Sequence, residues 1–158
     1  MIQPSRIISE MTDIESELKG IQRKIELYNK KDVMIGVTGT TNGERGNAFL
    51  MAIHEYGTQD GRIPERRPIR LTMENNQEKY ARRLQQGIDK VLVDEMDIMT
   101  ALNSIGEEVA GDVKITISNG LTPPLADSTV RARKDNSDTP LYDTGELVNS
   151  ITYEVRDK

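Results

Sequence analysis

Apolar positions along the chain fall into periodic runs. Ile7, Met11, Ile14, Leu18, Ile21, Ile25 and Tyr28 are spaced 4, 3, 4, 3, 4, 3, a heptad seam held over three repeats. The spacing predicts a helix started near Ser5 and roughly 36 Å long at about 1.5 Å per residue. Two residues in seven make a narrow seam, the width that packs against one other helix. That helix belongs either to the same chain or to a neighbouring subunit. Gly20 lies mid-helix, at a break or a close approach.

Beyond it, "DVMIGV" (Asp32 to Val37) reads as a strand. "NAFLMAIHEYGT" reads as a short helix stopped by Gly57. In "RIPERRPIR", Pro64 and Pro68 push Ile63 and Arg67 toward extended backbone. Tyr80, Leu84, Ile88 and Val91 share one face, predicting a helix from about Asn75. Ile98, Leu102, Ile105, Val109, Val113 and Ile117 predict another, capped by Asp97 and stopped at Gly120. "LTPPLADSTVRARKDNSDTP" reads as a loop with a brief helix from Ser128. Asp143 is placed to cap a short helix, with Glu146 as its capping-box partner. Ile151, Tyr153 and Val155 alternate with Thr152 and Glu154, as in a half-buried strand.

The fold class these elements predict is α+β. A small, mostly antiparallel sheet is packed by helices on one face, with a long N-terminal helix at the side. Residues 1–31 form the heptad helix and residues 32–158 the α+β body, in one domain overall.

Composition adds a constraint on the core. The 158 residues include no Trp and one Phe; 35% are hydrophobic and 30% charged, and the mean hydropathy is -0.58. Such a lean core of Ile, Leu, Val and Met fits a chain that finishes burying its surface against partners. Cysteine is absent, which removes thiolate chemistry and disulfides. The net charge of -5 argues against generic nucleic-acid binding. No apolar run approaches the roughly 18 residues of a membrane span. The opening residues lack the apolar region of a signal peptide, so the expected site of synthesis and residence is a cytoplasm.

Candidate chemistry is sparse. "GVTGTTNGERG" matches neither a P-loop nor a dinucleotide loop and reads as a mobile connection. His54 is the single histidine, and "HEYG" lacks the second histidine of a zinc motif; it reads as a structural histidine at a helix end. No spacing singles out a catalytic carboxylate pair among the acidic residues. A small hydrolase using carboxylates stays open without specific support, and no metal or cofactor is expected. Arg62, Arg66, Arg67 and Arg70 crowd around Pro64 and Pro68 and are candidate contacts to acidic partner surfaces. The seam residues Ile7, Met11, Ile14, Leu18, Ile21 and Ile25 are the other partner-contact candidates.

Two stretches together carry a resemblance. "HEYGTQDGRIPERRPIR" resembles the H-E-[FY]-G-T … I-P-x-R-P signature of phage neck and tail-completion proteins, the tail-component and virion-morphogenesis group. "PPLADSTVRARK" followed by "PLYDTGELVNSITYEV" resembles that group's C-terminal half, where a proline loop precedes L-x-D-T-G-x-L-x-x-S-I-x-y-x-V. Order and spacing agree over roughly residues 33 to 155. The motif positions are His54, Glu55, Tyr56, Gly57, Thr58, Ile63, Pro64, Arg67 and Pro68, then Asp143, Thr144, Gly145, Leu147, Ser150 and Ile151. Arg66 departs from the pattern, standing where small residues are common.

The resemblance implies structural work in a virion, without a catalytic role. The implied role is a ring subunit at the head-to-tail junction, as neck, tail-completion or terminator component, assembled in the host cytoplasm. Implied partners are further copies of the chain (a hexamer is favoured), other neck proteins, and the portal or adaptor and tail proteins. Contact with DNA in the channel would be passive, and no membrane is involved. The competing reading from the residues is a regulator that dimerises through the heptad helix and binds nucleic acid through the arginine loop.

Overall fold

The structure, a computed structural model, describes residues 4–37, 46–133, 138–141 and 145–158, with side chains from residue 11 onward. Six helices and two strands run in the order α1 (Pro4–Asn29), β1 (Lys31–Val37), α2 (Asn47–Tyr56), α3 (Pro68–Leu92), α4 (Ile98–Ser118), α5 (Asp127–Ala132), α6 (Glu146–Asn149) and β2 (Ile151–Asp157). The predicted α+β class holds.

Helix α4 is the centre of the body. Asp97 caps it, its carboxylate accepting from the Thr100 amide at 3.0 Å. The period read from the sequence puts Leu102, Ile105, Val109, Val113 and Ile117 on buried positions. One side of α4 packs against α3 and the other against the sheet. Charged groups fix the α3 side: Lys79 Nζ reaches Asp112 at 2.6 Å and Glu108 at 3.1 Å. The Tyr80 hydroxyl also donates to Asp112, at 2.9 Å. Burial, then the Asp112 carboxylate, raises the Tyr80 phenol above its ordinary pKa.

Strands β1 and β2 pair antiparallel, from Lys31 opposite Asp157 to Val37 opposite Ile151. Val33, Ile35 and Val37 share a face with Ile151, Tyr153 and Val155, as the period of two requires. Ile151 is fully buried, and Ile35, Val37 and Tyr153 pack on the core at α4. Met34 and Glu154 stand exposed on the opposite face. The C-terminal alternating segment thus completes a sheet within its own subunit.

Three local expectations change. Helix α3 begins at Pro68, several residues before Asn75, and Asn76 marks a kink inside it. Helix α1 begins at Pro4, so Ser5 lies inside the helix. The helix also runs unbroken through Gly20, around which a Cβ would meet nothing within 4 Å. The predicted mobile connection falls on residues 38–45, outside the described residues. Gly46, at its end, is the N-cap of α2.

The seam of α1 is largely uncovered. Only the C-terminal part of the helix meets the body, where Lys24 bridges to Asp94 at 2.7 Å and donates to the Leu92 carbonyl at 3.1 Å. Farther out, Met11, Ile14 and Leu18 are 58%, 55% and 60% exposed. Of the two expectations for this seam, packing within the chain is therefore not met for these residues. The side chain of Ile7 lies outside the described ones. No helix among the described residues is long and apolar enough to cross a membrane.

Two glycines of α4 make opposite tests of this packing. A methyl on Gly106 would overlap the Tyr153 ring, whereas one on Gly111 meets nothing within 4 Å. Gly106→Ala is expected to cost about 1–3 kcal/mol by overpacking. Gly111→Ala should instead stabilise by about 0.5–1 kcal/mol, the helix-propensity difference. Urea unfolding of both variants checks the pair of signs.

Candidate functional site

The stretch "HEYGTQDGRIPERRP" folds into a clasp between α2 and α3. Helix α2 ends at Gly57, whose φ of 73° is left-handed. A Cβ there would also press on Glu65 N at 3.0 Å and Ile63 O at 3.1 Å. Any other residue thus meets both backbone strain and a clash. The chain then loops out and returns. Thr58 N donates to Ile63 O at 2.9 Å, and Ile63 N donates to the Thr58 hydroxyl at 2.9 Å. Arg66 N and Arg67 N both donate to the carbonyl of His54, at 2.8 and 3.1 Å.

Glu55 closes the clasp. It is 6% exposed and points across to the start of α3. Its carboxylate accepts from Ile69 N at 3.0 Å and from Arg70 N at 3.1 Å, two of the amides that the first turn of a helix leaves unpaired. Arg70 Nε adds a third bond at 3.0 Å, and Arg70 Nη2 donates to the Glu55 carbonyl at 2.6 Å. The Arg70 guanidinium also lies 5.1 Å from the centroid of the Tyr56 ring. An anion at a helix N-terminus is favourable. With Pro68 at the first position of the helix, this explains why α3 starts there. Arg67, predicted to be extended, is left-handed instead, at φ 50° and ψ 48°. Its amide has been drawn onto the His54 carbonyl.

Arg66, a candidate partner contact in the sequence, is instead engaged inside the chain. It is 6% exposed and reaches across to a distant segment. Nε donates to Pro123 O at 2.8 Å and Nη2 donates to Pro124 O at 3.2 Å. Nη1 lies 3.4 Å from His54 Nδ1. Burial lowers the Arg66 pKa. Burial, and then the Arg66 charge, hold His54 down at about 4 instead of 6.5. A neutral imidazole with Nδ1 free to accept suits this geometry. Arg70 is likewise committed to Glu55. Arg67 lies 3.7 Å from Glu74, and Arg62 pairs with Asp60 at 3.1 Å on the surface. Of the four arginines, Arg66 is buried, Arg67 is half-buried, and Arg62 and Arg70 are exposed.

Beside the clasp lies an open groove of about 730 Å³. Leu50 of α2, Ile63 and Pro64 of the returning loop, and Pro123 to Ala126 form its walls, and Leu141 and Leu147 also line it. Thr129 of α5 and Arg133 stand at its far side. Sequence reading did not find this groove. The "PP" pair was legible as a turn, but nothing in a proline announces that its carbonyl is an acceptor for a distant arginine.

The second motif is partly described. Asp143 and Thr144 lie outside the described residues. Helix α6 takes Gly145 as its N-cap, at φ 79° with no side-chain cap bond, and the predicted capping by Asp143 lies outside the described residues. Leu147 and Ile151 are buried, and the Ser150 hydroxyl donates to Leu147 O at 2.7 Å. Among the described residues, no group of three or more His, Asp or Glu gathers as a metal site.

No protein-family model, no curated protein and no solved structure matches this chain.

Glu55→Ala should cost about 3 kcal/mol, from a lost helix cap and an unpaired Arg70. Arg62→Glu, at the surface of the same loop, should change stability by less than about 0.5 kcal/mol. Chemical denaturation separates the two. His54 gives a pH test. The unfolded chain binds its proton near 6.5 and the folded chain only near 4. Its contribution to stability is therefore full above 6.5 and is lost as pH falls through that window. Between those values the wild type should lose stability more steeply than His54→Gln, read from urea midpoints at each pH.

Proposed function

We propose that this chain is a structural subunit of the head-to-tail junction of a tailed phage. It would act as a neck, tail-completion or terminator component, working as one copy in a ring that links the portal assembly to the tail. In this reading it performs no catalysis, and its partners are its own copies and the adjoining neck, portal or adaptor and tail proteins.

One observation carries the proposal. The two stretches that resemble the tail-component group are separated by more than fifty residues, yet they meet in one place. Arg66 of the first holds the carbonyls of Pro123 and Pro124 that open the second. Within the first stretch, Glu55, Gly57, Thr58 and Pro68 each have a specific structural task in the clasp from which Arg66 projects. The bridging side chain, Arg66, is the position that departs from the family pattern; the motif residue His54 holds it in place, its carbonyl accepting from the Arg66 and Arg67 amides. The exposed seam of α1 adds a surface suited to joining subunits.

Mass under native conditions, with and without the neighbouring neck proteins, tests the reading. Hexamers or larger rings are expected, and the chain should be found in purified virions at the neck. A stable dimer that retains duplex DNA would instead fit the helix-dimerised regulator. Leu18→Asp sharpens the test. Leu18 is exposed in the subunit, so the variant should unfold within about 0.5 kcal/mol of wild type. It should nevertheless fail to assemble, because a neighbour would have to bury that charge unpaired.

A further inference from the structure

Two apolar surfaces of one subunit stand uncovered among the described residues. The first is the outer seam of α1. Met11, Ile14 and Leu18 present anchors at i, i+3 and i+7, the pattern by which an amphipathic helix enters a groove. The second is the groove beside the clasp, with its apolar walls of Leu50, Ile63, Pro64 and Leu125. The ring reading requires a contact between two different patches, repeated from copy to copy. These two surfaces are such a pair.

Charge favours their union. From Met11 to Leu18, α1 carries Asp13, Glu15 and Glu17 and no basic residue. The groove is lined by Arg62, Arg66 and Arg133, with Glu146 as the acidic lining residue. The partners of Arg66 are two carbonyls and the neutral His54, so its positive charge is held by dipoles alone. Pairing one seam with another gains less. A parallel pair sets Glu17 opposite Gln22 and Lys24 opposite Asn29, with no opposite charges meeting. An antiparallel pair would use Lys24, which is already bound to Asp94 and the Leu92 carbonyl.

We infer, building on the ring reading, that the Met11–Leu18 seam of each copy lies in the Leu50–Pro123 groove of the next. Glu15 and Glu17, which flank the seam on its two sides, then lie beside the arginines of the groove, while Asp13 is on the outer face of the helix. Helix α1 acts as a latch between copies, and the clasp that holds Pro123 and Pro124 shapes the seat for it.

Because the chain has no cysteine, single cysteines report this contact cleanly. Ile14→Cys protein is mixed with Leu50→Cys protein and, separately, with Thr129→Cys protein. Each mixture is assembled, mildly oxidised and resolved without reductant. Ile14 and Thr129 are exposed and Leu50 lies at the surface, so folding should be retained; melting temperatures check this. Disulfide-linked mixed dimers in the Thr129 arm support the latch, and the same species in the Leu50 arm adds the second wall. Adding Arg62→Glu to the groove partner should lower their yield severalfold. Assembled rings without mixed dimers overturn the latch while leaving the ring reading standing. Ile14→Cys dimers formed alone overturn it in favour of seam-to-seam pairing. A chain that stays monomeric at every concentration and with its neck partners ends the ring reading and the latch together.

Discussion

The carboxylate of Glu55 at the head of α3 is the constraint on which the rest of the body depends. A helix of 25 residues begins with amides that nothing in its own chain direction can satisfy. Here they are met from another helix, by the penultimate residue of α2. The bond therefore fixes two things at once, where α3 starts and how α2 lies against it. The direction of α3 then decides whether Lys79 and Tyr80 reach Asp112, and so how α4 is held. The sheet rests on the other side of α4. Displacing one carboxylate would be felt through three layers.

The same clasp explains why Arg66 and Arg70, in a strongly charged stretch, are bonded inside the chain. "PERRPIR" looks like solvated surface, because arginine beside proline usually is. The sequence shows the cation but not its acceptors. In Arg66 these are backbone carbonyls more than fifty residues away, and carbonyls are present at every position in any chain. Long periodic helices were legible for the opposite reason. Helix α4 writes its cap, its buried stripe and its stop in consecutive residues. Strand β2 writes its alternation in the same way. Helix α3 was readable in its middle, through Tyr80 and Val91, but not at its start, which is decided by a residue in another helix. The groove beside the clasp was not readable at all, since four separate segments build it.

The α1 seam shows a different limit. Its period marks an apolar face, and says nothing about what, if anything, covers it. The subunit leaves Met11, Ile14 and Leu18 in water, an arrangement that a lean chain tolerates only by spreading carboxylates beside them. Asp13, Glu15 and Glu17 both keep the exposed helix hydrated and bias what it meets. A surface of this kind discourages contact with its own image while remaining open to a basic groove.

The pairing of β1 with β2 has a consequence for synthesis. More than a hundred residues separate Val37 from Ile151, so β1 leaves the ribosome long before the strand that completes it. At about 5–20 residues per second the delay is on the order of ten seconds. During that time Val33, Ile35 and Val37 have no partner strand, and α4 arrives before β2 does. The sheet can form only after translation has passed both helices that flank its core. A nascent chain therefore cannot present a finished sheet until nearly all of these residues exist.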